Sequence, residues 1–147
     1  MEPQLTQSLE DYLEAIFSLE QKNRVARVKE IAQALNVQMP SVTGAVRNLK
    51  ERGLVDYKKN SFITLTPSGL KIARSIYNKH QILRRFLEDL LYVEAQEAEE
   101  IACRMEHALP GRIAARLETF TGLILEKSYQ KKVFKQELED RLRHSSS

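Results

Sequence analysis

Two short β-rich runs interrupt an otherwise helical periodicity directly after three closely spaced amphipathic stretches, and that order leaves few folds open. Leu54-Val55-Asp56-Tyr57 and Phe62-Ile63-Thr64-Leu65 are dominated by β-branched, aromatic and aliphatic residues. Lys58-Lys59-Asn60-Ser61 separates them, which predicts a hairpin with a basic tip. Ahead of them, Leu9, Leu13, Ile16 and Leu19 repeat at helical spacing from about Thr6 to Gln21. A second helix is predicted over Val28–Leu35, with Ile31 and Leu35 apolar and Asn36 suited to its end. A third opens near Pro40, buries Val42, Val46 and Leu49, and is stopped by Gly53. Helix, helix, turn, helix, hairpin is the order of a winged helix-turn-helix.

The rest of the chain reads as helical. Thr66-Pro67 resembles an N-cap followed by a first-turn proline. The helix behind it carries Leu70, Ile72, Ile76, Leu83, Leu87 and Leu90. An acidic helix is expected from about Glu94 to Leu109, broken by Pro110-Gly111. Ile113, Leu117 and Phe120 mark another helix, and a last amphipathic one is predicted from about Leu123 to Leu142. The fold class is therefore mainly α. A winged helix-turn-helix domain is expected over residues 1–72 and an all-helical domain over 73–147.

Charge distribution separates these halves. From Arg24 to Arg74 there are ten Lys/Arg against three Asp/Glu, a local excess of seven, whereas the whole chain carries only +3. A basic winged helix points to a polyanion. Away from its buried stripe, the third helix offers Ser41, Thr43, Gly44, Arg47 and Asn48 to double-stranded DNA, and Lys58 and Lys59 of the wing would hold phosphate. No apolar run approaches a membrane span. Met1-Glu2-Pro3-Gln4 is not the start of a signal peptide, and one cysteine makes no internal disulfide, so the cytoplasm is the expected compartment. No H-E-x-x-H and no catalytic-triad pattern occurs, so no enzyme is expected.

The acidic helix carries the chemistry. Cys103, Glu106 and His107 sit at i, i+3 and i+4 and project from one helical face. A thiolate, a carboxylate and an imidazole are all transition-metal ligands. At about 100° per residue, Glu99 and Glu100 join them in one polar sector. Ala98, Ile101, Ala102, Met105 and Leu109 fall opposite. A small hydrophobe filling a core gap would belong with Ile101 and Met105, and Cys103 does not.

Four segments in order resemble the DtxR/MntR family of metal-dependent transcriptional repressors: Leu9-Glu10-Asp11-Tyr12-Leu13-Glu14, Pro40-Ser41-Val42-Thr43, Asn78-Lys79-His80-Gln81-Ile82-Leu83 and Cys103-Arg104-Met105-Glu106-His107. The resemblance implies a winged helix joined to a helical dimerisation domain. It also implies a metal site made of Asp11, Glu14, His80, Cys103, Glu106 and His107. Asp11 and Glu14 follow the manganese-type branch, whereas Cys103 stands where that branch has glutamate. Arg84 and Glu99 replace a carboxylate and a histidine of the iron-type ancillary site, leaving Glu99 and Glu100 as supporting candidates. The implied co-repressor is Mn(II) or Fe(II), one or two ions per subunit. The implied partners are a near-palindromic operator and a second copy of the chain, met through Ala102, Met105, Leu109, Ile113, Leu117 and Phe120. The alternative is a winged-helix regulator answering to a small organic ligand, with no metal switch.

Overall fold

A computed structural model describes residues 5–58, 61–130 and 132–145. The chain divides into two compact units, residues 1–77 and 78–147. No helix among the described residues is long and apolar enough to cross a membrane.

The first unit is built from α1 (Gln7–Asn23), α2 (Val28–Leu35), α3 (Met39–Glu51), β1 (Val55–Tyr57), β2 (Ile63–Leu65) and most of α4 (Pro67–Arg85). Thr6 caps α1, its hydroxyl accepting the Leu9 N–H at 3.4 Å. Asn36 ends α2 in the left-handed conformation at φ 53°, which Asn tolerates because its side chain bonds locally. Pro40 lies in the first turn of α3, and Gly53, at φ +70°, turns the chain after it. β1 and β2 pair antiparallel, Val55 with Leu65 and Tyr57 with Ile63. A further antiparallel bridge joins Ala26 to Ile63. Leu13, Ile16, Ile31, Val42, Val46, Leu49 and Ile63 are fully buried in one apolar cluster. The helical period of 3.6 and the strand period of 2 therefore point to the same interior.

The start of α4 is locked onto this core. The Thr66 hydroxyl accepts the Gly69 N–H at 3.1 Å and donates to the Gly53 carbonyl at 2.7 Å. A Cβ on Gly69 would lie 1.9 Å from the Leu54 carbonyl oxygen. Only glycine permits that approach.

The second unit contains the end of α4, a π-helical turn at Phe86–Leu90, α5 (Ala95–Met105), α6 (Gly111–Gln130) and α7 (Lys132–His144). Leu83, Leu87, Ala98 and Ala102 form its buried apolar cluster. Tyr92 stands at φ 56° in the connection to α5, where the Glu94 carboxylate caps the helix by accepting from Gln96 and Glu97 N–H.

Three expectations are corrected here. No helix end falls between Phe120 and Leu123: α6 runs unbroken through Gly122. A glycine inside a helix costs about 1 kcal/mol, and burial of Thr121, whose hydroxyl donates to the Leu117 carbonyl at 2.8 Å, holds the helix through it. The acidic helix ends at Met105, so Glu106 and His107 lie at its cap and in the turn beyond. Its polar and apolar sectors are also not simply outside and inside, since Glu106 is buried at 1% exposure and Met105 is 43% exposed.

Candidate functional site

In the second unit, α4 and the end of α5 bring together a histidine and a carboxylate that water barely reaches. His80 is 5% exposed and Glu106 1%. Nδ1 of His80 lies 2.7 Å from Glu106 Oε2, and its Nε2 lies 3.1 Å from Glu99 Oε1. The hydrogen bond to Glu106, reinforced by Glu99, pushes the His80 pKa up to about 9 against the opposing effect of burial. His80 is thus an imidazolium between two carboxylates at neutral pH. The face reading of α5 placed Glu106 in a polar sector; the structure buries it against His80.

Around this pair stand further donors. His107 Nε2 is 3.4 Å from Glu106 Oε1, and its side chain is only 7% exposed. Cys103 is exposed on the last turn of α5, with its sulfur within 4.8 Å of a Glu106 carboxylate oxygen. Glu106 Oε1 accepts no hydrogen bond among the described residues. A buried carboxylate oxygen left in that state is costly unless a cation meets it. Two imidazoles, a carboxylate and a thiol around it are a donor set that first-row divalent metals accept. The residues fit a metal ion on chemistry and on burial.

Glu99 is more than a bystander. Its second oxygen lies 3.4 Å from Arg84 Nη1, and Arg84 Nε donates to Glu88 Oε1 at 2.5 Å. The sequence signal for this was an i, i+4 relation on each helix: His80 and Arg84 on α4, and Glu99 and Cys103 on α5. Glu100 is exposed and joins none of these contacts. Asp11 and Glu14 belong to the first unit, three residues apart and half-buried on α1.

The first unit presents the expected nucleic-acid face. Ser41, Gly44, Arg47 and Asn48 are exposed on α3, and Thr43 is half-buried with its hydroxyl donating to the Met39 carbonyl at 3.2 Å. Asn48 accepts from Arg52 Nε at 2.7 Å. Nothing lies within 4 Å of a Cβ added at Gly44, so this stretch of the helix surface is low and open. Lys50 Nζ donates to the Tyr57 carbonyl at 2.7 Å, tying α3 to β1. Lys58 is exposed, and Lys59 lies outside the described residues. Sequence reading passed over Arg27, whose guanidinium stacks 4.9 Å from the centroid of Phe62.

Comparisons with known proteins agree with both units. A family model described as the N-terminal DNA-binding domain of iron-dependent repressors matches residues 4–62. Another, described as their metal-binding and dimerisation domain, matches residues 66–135. An uncharacterised HTH-type transcriptional regulator of Methanocaldococcus jannaschii is 38% identical over 117 residues, covering 79% of this chain and 94% of the relative. The HTH-type transcriptional regulator MntR of Lysinibacillus sphaericus is 40% identical over 82 residues, 56% of this chain and 59% of that one. A solved manganese-dependent transcriptional repressor, in complex with manganese, superposes with a TM-score of 0.71 at 30% identity over 78% of this chain. The chain spans about half of that repressor's length, the match covering 52% of it. With both family domains matched in order across most of its length, the chain belongs to the iron-dependent repressor, or DtxR/MntR, family of metal-dependent transcriptional regulators.

Proposed function

We propose that this chain is a DNA-binding repressor of metal-homeostasis genes, acting in the cytoplasm as a homodimer, with Mn(II) or Fe(II) as co-repressor. The observation that carries this reading is Glu106, a buried carboxylate flanked by His80 and His107, with one oxygen that accepts no hydrogen bond among the described residues.

In this reading His80, Cys103, Glu106 and His107 hold the metal. Asp11 and Glu14 of the first unit join the set on the strength of the sequence resemblance. One or two ions per subunit are compatible with that many donors. When bound, the ion supplies the positive charge that the carboxylates otherwise take from the His80 proton. Carboxylate and imidazole donors suit Mn(II) and Fe(II), and the Cys103 thiolate raises the affinity for Fe(II) relative to an all-oxygen site. Glu99, held by Arg84, keeps the ring of His80 oriented, as carboxylates commonly do for metal-binding histidines.

On the DNA side, Arg47 reaches base edges or phosphate, and Ser41, Thr43, Gly44 and Asn48 line the helix that enters the major groove. Lys58 and Lys59 meet the backbone from the wing. Metal and operator occupancy are then thermodynamically linked, each raising affinity for the other by the same factor. A linkage of about 3 kcal/mol corresponds to roughly a hundredfold. Near-palindromic operators follow from two-fold symmetry of the dimer.

The test is a gel shift on the protein's own promoter region, with anaerobic Mn(II) or Fe(II) and with chelator. Tighter binding with metal, lost in Glu106→Gln while the dimer persists in sedimentation, is the expected result. Equal binding in chelator defeats the switch. A small organic effector, in place of metal, would show as affinity that ignores metal but changes with cell extract passed through a size cut-off.

A further inference from the structure

The wing and the segment before α2 meet at a point that the roles above leave unused. Ala26 and Ile63 exchange both backbone hydrogen bonds, Ala26 N–H to the Ile63 carbonyl at 3.1 Å and Ile63 N–H to the Ala26 carbonyl at 2.8 Å. In an antiparallel bridge the next residue on one side faces the preceding residue on the other. Arg27 is therefore set opposite Phe62 by the backbone itself, and its guanidinium lies 4.9 Å from the Phe62 ring centroid. Both side chains face solvent, Arg27 at 54% and Phe62 at 49%. An aromatic ring exposed to that degree on a wing is not there for the core.

Arg27 is also held from behind. Glu30 accepts the Arg27 backbone N–H at 3.0 Å and the Asn23 side-chain amide at 3.3 Å, and its carboxylate lies 3.6 Å from Arg27 Nη1. The ring in front and the carboxylate behind restrict a side chain that otherwise samples many rotamers. Between Arg27 and Phe62 on one side and Met39 and Thr43 of α3 on the other runs an open groove of about 280 Å³, with Ser61 at its rim. Its lining offers one cation, the hydroxyls of Ser61, Thr43 and Tyr57, the aromatic rings of Phe62 and Tyr57, and a thioether. It sits in the basic half of the chain, beside the start of the helix that presents Arg47. Charge and chemistry match an anion joined to an apolar ring.

We propose that this groove seats one sugar-phosphate unit of the DNA backbone in each half-site, with Arg27 meeting the phosphate and Phe62 covering the deoxyribose. The proposal rests on the DNA-binding reading. Arg27 is the phosphate contact, and Phe62 is both a contact to the sugar and the brace that presents Arg27.

The experiment uses the full chain with Mn(II) and a duplex that the wild-type protein enriches from a random-sequence pool. Single methylphosphonate substitutions are then scanned along each strand to remove one phosphate charge at a time. Wild-type protein should lose affinity at one position per half-site to which Arg27→Ala is indifferent. Arg27→Ala should bind about tenfold more weakly, with a salt slope lower by about one per half-site. Phe62→Ala should bind several-fold more weakly with the salt slope unchanged, and Phe62→Tyr should restore affinity. Circular dichroism checks that these exposed substitutions leave the fold intact. The seat is overturned if Arg27→Ala keeps the full wild-type pattern of methylphosphonate sensitivity, or if Phe62→Ala binds like wild type. A wild-type protein that enriches no duplex removes the DNA reading itself, and the seat with it.

Discussion

The two units are stabilised in different ways. Sixteen buried apolar residues, from Leu9 to Ala73, make one cluster in the first unit. Among the described residues, the second unit's cluster has four: Leu83, Leu87, Ala98 and Ala102. Every buried polar or charged residue among those described, namely His80, Glu106, Thr121 and Ser128, is in the second unit. Thr121 and Ser128 satisfy their hydroxyls within α6, on the Leu117 and Ile124 carbonyls. His80 and Glu106 satisfy each other only in part. A small domain with that interior has little apolar burial to offset chain entropy. Among the described residues the first unit thus has the larger buried apolar cluster, and bound metal should matter more to the second.

The largest expected effect lies in the first unit. Leu13→Ala should cost about 2 to 5 kcal/mol, read as loss of amide protection across α1–α3 in native-state hydrogen exchange. An equal loss across α5 and α6 would contradict the separation. Metal should do the converse. Mn(II) at a hundred times its dissociation constant should add about 2.7 kcal/mol, concentrated in α5, the end of α4 and the Asp11–Glu14 turn of α1; equal protection of α2, α3 and the wing would break the comparison.

Gly69→Ala comes next, because its methyl would meet the Leu54 backbone rather than a movable side chain. A loss of about 1 to 3 kcal/mol is expected in urea melts, with metal affinity unchanged. The pH dependence is smaller. The His80 pKa, about 9 in the fold, is raised from the ordinary 6.5. Its contribution to metal-free stability is fully present below about pH 6.5 and is lost as pH rises through about 9. The metal must displace the same proton, so apparent affinity should rise by up to about tenfold per pH unit between those values. Anaerobic calorimetry in buffers of different ionisation enthalpy measures the proton released. Smallest of all, replacing both partners, His80→Leu with Glu106→Leu, should leave metal-free stability in urea melts within about 1 kcal/mol of wild type while abolishing metal binding in calorimetry, since well-packed apolar groups can replace a buried ion pair at little cost, whereas Glu106→Leu alone strands the His80 charge and costs more.

Much of this was legible in the sequence where one period dominates. Val28–Leu35 was read to the residue because Ile31 and Leu35 repeat on one face and Asn36 closes it. The wing strands were read within a residue because Val55, Ile63 and Leu65 alternate with polar neighbours. The division between Phe120 and Leu123 failed because α6 continues to Gln130 and the last helix is Lys132–His144; tertiary packing that local pattern does not display outweighs the cost of Gly122 inside the helix. The ligand types on α5 were visible from spacing. That Glu106 is buried was not, because its environment comes from His80, 26 positions earlier in the chain. The pairing of Arg27 with Phe62 escaped for the same reason, since it follows from a backbone bridge between Ala26 and Ile63 that no local pattern announces.

One contact in the first unit ties the far end of α1 to the wing. Asp11 and Glu14 lie in the first half of α1, and Glu20, near its end, accepts the backbone N–H of Leu65 in β2 at 3.0 Å. Burial lifts the Glu20 pKa, and that hydrogen bond restrains the rise. The wing is thereby hung from α1 as a pennant from its staff. Strand β2 is therefore fastened to the same rod that bears Asp11 and Glu14.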